Sequence, residues 1–249
     1  GERIYMSKIY LDTAGVLSWM ITVIFAAYLC EKILMKLVQA CFESRPACRK
    51  MHKKVAKEDV KSIRLKECTV SYPNEVVLDS LQAEFGAGEI WAVTGASGSG
   101  KTTFLKTLWG LKKPDIGEVS GIQQIRAGVF QENRLFEEFT AIENVFATGS
   151  CVYDRETVEK AVLELLPKES FTKPAKEYSG GMKRRVEIIR ALLSDSDVIL
   201  MDEPFAGLDD ATKEVAIQFI EKYRCGRTLI FATHGKTEIE KLSAKEYKL

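Results

Sequence analysis

Ile90-Trp91-Ala92-Val93-Thr94 runs directly into Gly95-Ala96-Ser97-Gly98-Ser99-Gly100-Lys101-Thr102-Thr103, and Phe104, Leu105 and Leu108 follow at helical spacing. The first piece is a short apolar run suited to a buried strand, and the last opens an amphipathic helix. The middle piece fits G-x-x-x-x-G-K-[ST] in the strand–loop–helix setting that this pattern needs. Its glycines let backbone N–H groups turn inward around an anion, and the helix N-terminus adds the positive end of its dipole. Lys101 supplies a charge to β- and γ-phosphates, and the Thr102 hydroxyl supplies a ligand to Mg²⁺. A Gly/Ser-rich loop matching by chance would not bring its own strand and helix. The stretch reads as a nucleotide site in an α/β fold.

A second strand is expected at Val198–Met201, a continuous apolar run of the kind found in the middle of a parallel sheet. It ends in Asp202-Glu203-Pro204. A carboxylate at that strand end can hold Mg²⁺ through water. Glu203, one residue on, points elsewhere and can polarise an attacking water as general base. Alone, such an acidic pair is a solvated turn; beside a phosphate loop it gains a catalytic reading.

Between these motifs lies Tyr178-Ser179-Gly180-Gly181-Met182-Lys183-Arg184-Arg185, which resembles the signature sequence of ATP-binding-cassette ATPases. Other marks of that family follow the same order: Gln131 in VFQEN, Phe205-Ala206-Gly207-Leu208-Asp209 after the acidic pair, and His234 in FATHG. Upstream, Tyr72 in VSYPN stands where the family places an aromatic that stacks on adenine. The resemblance covers residues 62–249. It implies a P-loop NTPase with a parallel-sheet core, an antiparallel β subdomain and a small helical subdomain, working as an ATPase coupled to transmembrane transport.

It also implies ATP and Mg²⁺ as ligands. Tyr72 would stack on adenine, and Gly95, Ala96, Ser97, Gly98, Ser99, Gly100, Lys101, Thr102 and Thr103 would surround the phosphates. Thr102, Gln131 and Asp202 would hold Mg²⁺. Glu203 would be the base and His234 would hold the γ-phosphate and orient the water, with Lys101 and Gln131 completing the catalytic set. Ser179, Gly180 and Gly181 would bind the γ-phosphate of ATP carried by a second ABC ATPase subunit in a head-to-tail dimer, and Asp209 would link the two sites. Ser-Gly-Gly opening a helix over Met182–Leu193 does present free N–H groups to an anion. Arg184 and Arg185 read as packing and surface charges on that helix. Tyr178 stands where Leu is commoner and Met182 where Gln is usual, but neither change removes a backbone donor. Plainer readings remain beside these: Tyr72 as a strand aromatic, Gln131 as a solvated loop amide, His234 as a turn residue after the strand Thr228–Thr233.

The spacer between Gln131 and Ser179 holds an amphipathic stretch, Thr157–Leu166, ended by Pro167, and a second helix around Ala141–Ala147. With 15 residues after His234, the expectation is a minimal motor domain.

The remainder of the chain differs in character. Of 249 residues, 36 are Lys or Arg and 35 are Asp or Glu, a net charge of +1 that argues against a nucleic-acid partner. Residues 1–61 carry +5 of this and the rest −4, which suggests a boundary near residue 60. From Thr13 to Cys30 no residue is charged, a run of 18 residues. That is about the length a bilayer core needs. Tyr10 and Tyr28 lie near its ends as interfacial aromatics would, and the helix is expected to continue to about Ala40. Arg3 and Lys8 precede the run, whereas Lys32, Lys36, Arg45, Arg49, Lys50, Lys53, Lys54 and Lys57 follow it. The excess of positive charge places the C-terminal side in the cytoplasm of a plasma membrane. The expected organisation is therefore a transmembrane helix and flank (1–40), a basic cytoplasmic linker (41–61) and an ATP-binding domain (62–249).

Six cysteines without a C-x-x-C pair, and two histidines at no ligand spacing from them, point to reduced thiols rather than disulfides or zinc. The N-terminal segment also resembles the last helix of permeases of the nitrate/sulfonate/taurine importer group. That likeness implies the end of a permease fused to its ATPase, importing a small anionic or heterocyclic solute. Its partners would be membrane permease helices and an extracytoplasmic solute-binding protein. An exporter half-transporter and a non-transport cassette ATPase are the alternatives.

Overall fold

The computed structural model describes residues 2, 13–43, 62–73, 75–122, 126–149, 151 and 153–249. Most of the expected basic linker, Arg3, Lys8, Tyr10 and His52 lie outside the described residues. The chain divides into two compact units, Gly1–Pro46 and Ala47–Leu249.

In the first unit the uncharged run forms α1 (Thr13–Glu43), which extends three residues past the expected Ala40. Its segment Ala14–Leu34 has a mean hydropathy of 1.7 over 21 residues, long and apolar enough to cross a membrane. Large apolar side chains are exposed all round it, Leu17, Trp19, Met20, Ile21 and Val23 among them. A helix apolar on every face gains nothing from water. The Thr22 hydroxyl is satisfied within the helix, donating to the Ser18 carbonyl at 2.8 Å.

Among the described residues the second unit starts with a long hairpin, β1 (Ile63–Tyr72) and β2 (Glu75–Phe85), then β3 (Ile90–Thr94) and α2 (Lys101–Trp109). Next come β4 (Ile116–Ser120), β5 (Arg126–Val129), α3 (Ala141–Ala147), α4 (Arg155–Leu165) and α5 (Gly180–Leu192). The chain finishes with β6 (Val198–Asp202), α6 (Asp210–Arg224), β7 (Thr228–Ala232), α7 (Lys236–Lys241) and β8 (Lys245–Lys248).

Two sheets result. One is antiparallel in the order β2-β1-β4, and the other has the order β5-β6-β7-β3-β8 with every pairing parallel. β6 and β7 are buried at every residue, as strands covered on both faces must be. Phe104, Leu105 and Leu108 of α2 pack with Leu78 and Phe85 of the hairpin and with Val93, Leu200 and Ile230 of the parallel sheet. That cluster joins the two sheets through α2. A second cluster covers the other face, built from α3, α4, α5 and α6.

Helix starts follow their caps. α5 opens at Gly180, two residues before the expected Met182, because the Ser179 hydroxyl accepts the Met182 N–H. α4 opens at Arg155 because the Asp154 carboxylate accepts the Thr157 N–H at 2.9 Å. α3 has a reciprocal capping box between Thr140 and Glu143. The parallel register aligns Val93 with Ala232 and Ala232 with Asp202. Three strands thus end together, and the segments that follow them share one edge of the sheet, the usual place for a ligand in an open α/β sheet.

Candidate functional site

The loop after β3 is shaped by its glycines. Gly100 has φ 96°, and a Cβ there would come within 2.9 Å of Val77 and Leu78 side chains, so no other residue fits. Gly98, at φ 82°, has nothing within 4 Å of where a Cβ would stand, which leaves its backbone open to a ligand. Ala96, Ser97 and Gly98 are exposed, whereas Lys101 is buried with only 8% of its surface accessible. The Lys101 ammonium donates to the carbonyls of Gly95 at 3.0 Å and Ala96 at 2.9 Å. The charge expected to meet phosphate therefore sits inside the loop on oxygens it can exchange for phosphate ones. Ser99 Oγ is buried without a hydrogen bond, and Thr103 lies on the first turn of α2.

Thr102 Oγ1 stands 3.5 Å from Gln131 Oε1, just past β5. At the end of β6, Asp202 is buried and its Oδ2 has no hydrogen-bond partner. Burial pushes its carboxyl above the ordinary range, opposed by a hydrogen bond from Thr102 and by the charges of Arg184, Lys106 and Lys101. Glu203 turns away through φ 47°, its N–H held by the Ala232 carbonyl at 3.1 Å. Its Oε1 lies 3.5 Å from His234 Nε2 and is otherwise unpartnered. Burial raises the Glu203 carboxyl too, with His234 drawing it down and Asp202 pushing it up. Loop hydroxyl, amide oxygen, two carboxylates and imidazole so meet at one sheet edge. A buried carboxylate oxygen lacking a donor, near a hydroxyl and an amide oxygen, is a donor set suited to a hard divalent cation.

Tyr72 closes the β1–β2 hairpin, and it is the returning strand, at Val77 and Leu78, that lies against Gly100. Its ring is 42% exposed, with the Lys112 ammonium 5.4 Å from its centroid.

Ser179, Gly180 and Gly181 are elsewhere. They line an open hollow of about 510 Å³ with Arg184, Arg185 and the Ala206–Asp209 turn, and no residue of Gly95–Thr103 lines it. The structure thus brings Lys101, Thr102, Gln131, Asp202, Glu203 and His234 together but leaves the Ser-Gly-Gly edge apart. Asp209 caps α6 there, accepting the Thr212 N–H at 2.9 Å.

Of the two arginines read as packing and surface charges, Arg184 packs: it is 7% exposed, and its guanidinium donates to the carbonyls of Phe130 and Gln131 and pairs with fully buried Glu187. Arg185 is half-buried and donates to the Leu165 carbonyl at 2.6 Å. The signal was present in the chain, since Glu187 falls among buried Val186, Ile188 and Ile189, with an arginine one turn before it. Tyr178 also carries more than its apolar ring: its hydroxyl donates to the Ser170 carbonyl at 2.6 Å and accepts the Ala141 N–H at 3.1 Å.

Comparison with known proteins agrees with this geometry. The family model described as ABC transporter matches residues 78–206. The lipoprotein-releasing system ATP-binding protein LolD of Bacteroides thetaiotaomicron is 37% identical over 70% of this chain and 90% of its own. The taurine import ATP-binding protein TauB of Roseobacter denitrificans is 35% identical over 65% of this chain and 65% of its own. The Nod factor export ATP-binding protein I of Paraburkholderia xenovorans is 34% identical over 69% of this chain and 62% of its own. Among solved structures, a dimeric bacterial ABC transporter cassette superposes with TM-score 0.66 at 27% identity, over 75% of this chain and 94% of that one.

Proposed function

The chain belongs to the ABC transporter family of ATPases, and on that premise we propose that it binds Mg²⁺-ATP at the sheet edge and closes head to tail on a second ATPase subunit. Closing and reopening would then drive membrane helices between two states. The observation that carries this reading is the meeting of Lys101, Thr102, Gln131, Asp202, Glu203 and His234 at one edge, with the Ser-Gly-Gly edge standing apart.

Each residue has a physical task. The open backbone from Gly95 to Thr103 offers N–H groups to the phosphates, and Lys101 leaves the Gly95 and Ala96 carbonyls to meet them. Thr102, Gln131 and Asp202 would hold Mg²⁺, which neutralises charge on the phosphate oxygens. Glu203 takes a proton from the attacking water. Burial raises its carboxyl, which favours proton uptake, and an imidazole stands beside it. His234 holds Glu203 and the γ-phosphate in line, and Tyr72 offers its exposed face to adenine. Ser179, Gly180 and Gly181 present the N-terminus of α5 to the γ-phosphate of ATP on the second subunit. Binding drives closure because ATP held by both subunits favours the closed state over the open one.

The test is Glu203→Gln. It should abolish phosphate release, a loss of at least about 100-fold, while ATP binding persists and the ATP-bound dimer accumulates in sedimentation. Turnover in that variant would remove Glu203 as base, and a monomer with ATP bound would remove the head-to-tail dimer.

The finer reading is that α1 spans the plasma membrane with the ATPase on its cytoplasmic side. There it works beside permease helices in import of a small anionic or heterocyclic solute, delivered by an extracytoplasmic solute-binding protein. Its supports are the apolar length of Ala14–Leu34, the basic residues after it, and the likeness to a taurine import ATPase. A second reading, export, is favoured by the relative named for Nod factor export and by an ATP-bound Atm1-family ABC exporter, which superposes with TM-score 0.62 at 26% identity over 72% of this chain and 35% of that one. Importer-type spans encoded upstream of Gly1 in the transcript would favour the first, and exporter-type spans the second.

A further inference from the structure

Gln131 is exposed and sits in an irregular segment between β5 and α3, yet its side-chain oxygen is held 3.5 Å from Thr102. What fixes that segment lies beneath it, on α5. Arg184 spreads its guanidinium over two successive carbonyls, that of Phe130 through Nη1 and that of Gln131 through Nη2 at 2.9 Å. Nη1 also reaches Glu187 Oε2 at 3.1 Å. The other oxygen of Glu187 accepts the Arg134 N–H at 2.7 Å, and Arg190 donates to the Arg134 carbonyl at 2.7 Å. The Arg134 guanidinium folds back 3.9 Å over the Phe130 ring, whose other neighbour is Trp109 of α2, stacked at 4.2 Å. Both ends of Phe130–Arg134 are therefore tied to one face of α5, and its first residue is wedged against the helix that starts at Lys101.

A buried ion pair is a poor device for stability, because desolvation offsets most of the attraction and apolar residues of similar size serve as well. Leucine or methionine at these positions would fill the space but could not hold two carbonyls and an N–H of an irregular segment. A planar guanidinium with its fork of donors can, and lysine, a single point charge, cannot. We propose that Arg184 and Glu187 are positioning residues that set the main chain around Gln131 and thereby aim its amide oxygen at the Thr102 side of the nucleotide site. The inference rests on the assignment of Gln131 to Mg²⁺ and the attacking water.

The test uses the full 249-residue chain and two variants chosen to fold. Arg184→Lys keeps a charge for Glu187 but loses the fork. Arg184→Gln/Glu187→Gln removes both charges while leaving an acceptor for the Arg134 N–H. Without nucleotide, amide hydrogen exchange across residues 129–135 should quicken about tenfold in both variants while β6 and α2 stay as in the wild type. In turnover, Arg184→Lys should lower kcat about tenfold with the KM for ATP unchanged, the size expected of a residue that orients a ligand from behind. Combined with Gln131→Ala it should cost nothing beyond Gln131→Ala alone. Unchanged exchange, or losses that multiply with Gln131→Ala, would overturn the clamp and leave the role of Gln131 standing. Full activity in Gln131→Ala would instead remove that role, and this inference with it.

Discussion

Two helices of this protein begin with glycine next to an anion-seeking edge, and they are finished differently. At the start of α2 the space is crowded by the chain itself. Val77 and Leu78 pack on Gly100, the Lys101 ammonium is folded onto loop carbonyls, and Asp202 and Glu203 stand at the end of β6. At the start of α5 a Cβ on Gly180 would meet nothing within 4 Å, and the hollow beyond holds the Ala206–Asp209 turn and no catalytic carboxylate. The same local physics, unpaired N–H groups at a dipole's positive end, makes a site with its own chemistry in one place and half a site in the other. A half-site needs another molecule to complete it.

The comparison breaks most readily at Gly180. Gly180→Asp places a carboxylate in the first turn of α5, where it favours the helix, but sets it against the partner's γ-phosphate. ATP-dependent dimer formation should weaken about 100-fold, since like charges brought together in an interface cost several kcal/mol, with single-site nucleotide binding unchanged. Sedimentation and equilibrium binding read the two separately. A dimer of normal affinity would mean that the α5 edge is only a helix end.

On the α2 side the equivalent probe is Tyr72, whose exposed ring lies beside the Lys112 ammonium. Tyr72→Ala should weaken ATP binding by about 2 kcal/mol, the scale of a base stacked on an aromatic ring, while Tyr72→Phe keeps wild-type affinity because the face is retained. Equal affinity in all three would make Tyr72 a strand aromatic and nothing more.

A smaller effect sharpens the contrast from the α5 side. The approach to Ser179 is anchored by the Tyr178 hydroxyl, buried between the Ser170 carbonyl and the Ala141 N–H. Tyr178→Phe leaves that N–H without a partner, which should cost about 1.5 kcal/mol of unfolding free energy, measured by denaturant titration. Nucleotide binding at α2 should not change.

The difference between the regions also governed what could be read in the chain. β3 was legible to the residue, because an apolar run meeting a glycine loop has one boundary. Thr102, Asp202 and His234 lie at or after the ends of β3, β6 and β7, and parallel strands share an end. Helix starts shifted by two residues where Ser179 and Asp154 capped them, whereas α3 begins at the expected Ala141 behind its Thr140 cap. The partners of Arg184 were not legible, because only the fold brings the Phe130–Arg134 segment against it. Long-range partners of a polar side chain leave no local pattern. Glu187 came closest to one, as a carboxylate spaced one turn from both Arg184 and Arg190.

The least effect expected bears on why the α2 site is costly to keep ready. Burial raises the Glu203 carboxyl, so the native state holds its proton to higher pH than the unfolded chain does. Stability from the protonated form is therefore complete below the ordinary glutamate range and is lost as pH rises through the raised native value. Burial disfavours the charged form of Glu203, whose Oε1 has no hydrogen bond and lies 3.5 Å from His234. Glu203→Gln removes that charge and should stabilise the nucleotide-free protein by about 1 kcal/mol at neutral pH, in Mg²⁺-free denaturant titrations. The gain should vanish below about pH 4, where the wild-type residue is neutral in both states. A variant less stable than wild type at neutral pH would mean that the His234 pairing outweighs burial. In that case the base is held by its partner within the chain rather than strained in readiness for ATP, and the two helix ends would differ in contents but not in tension.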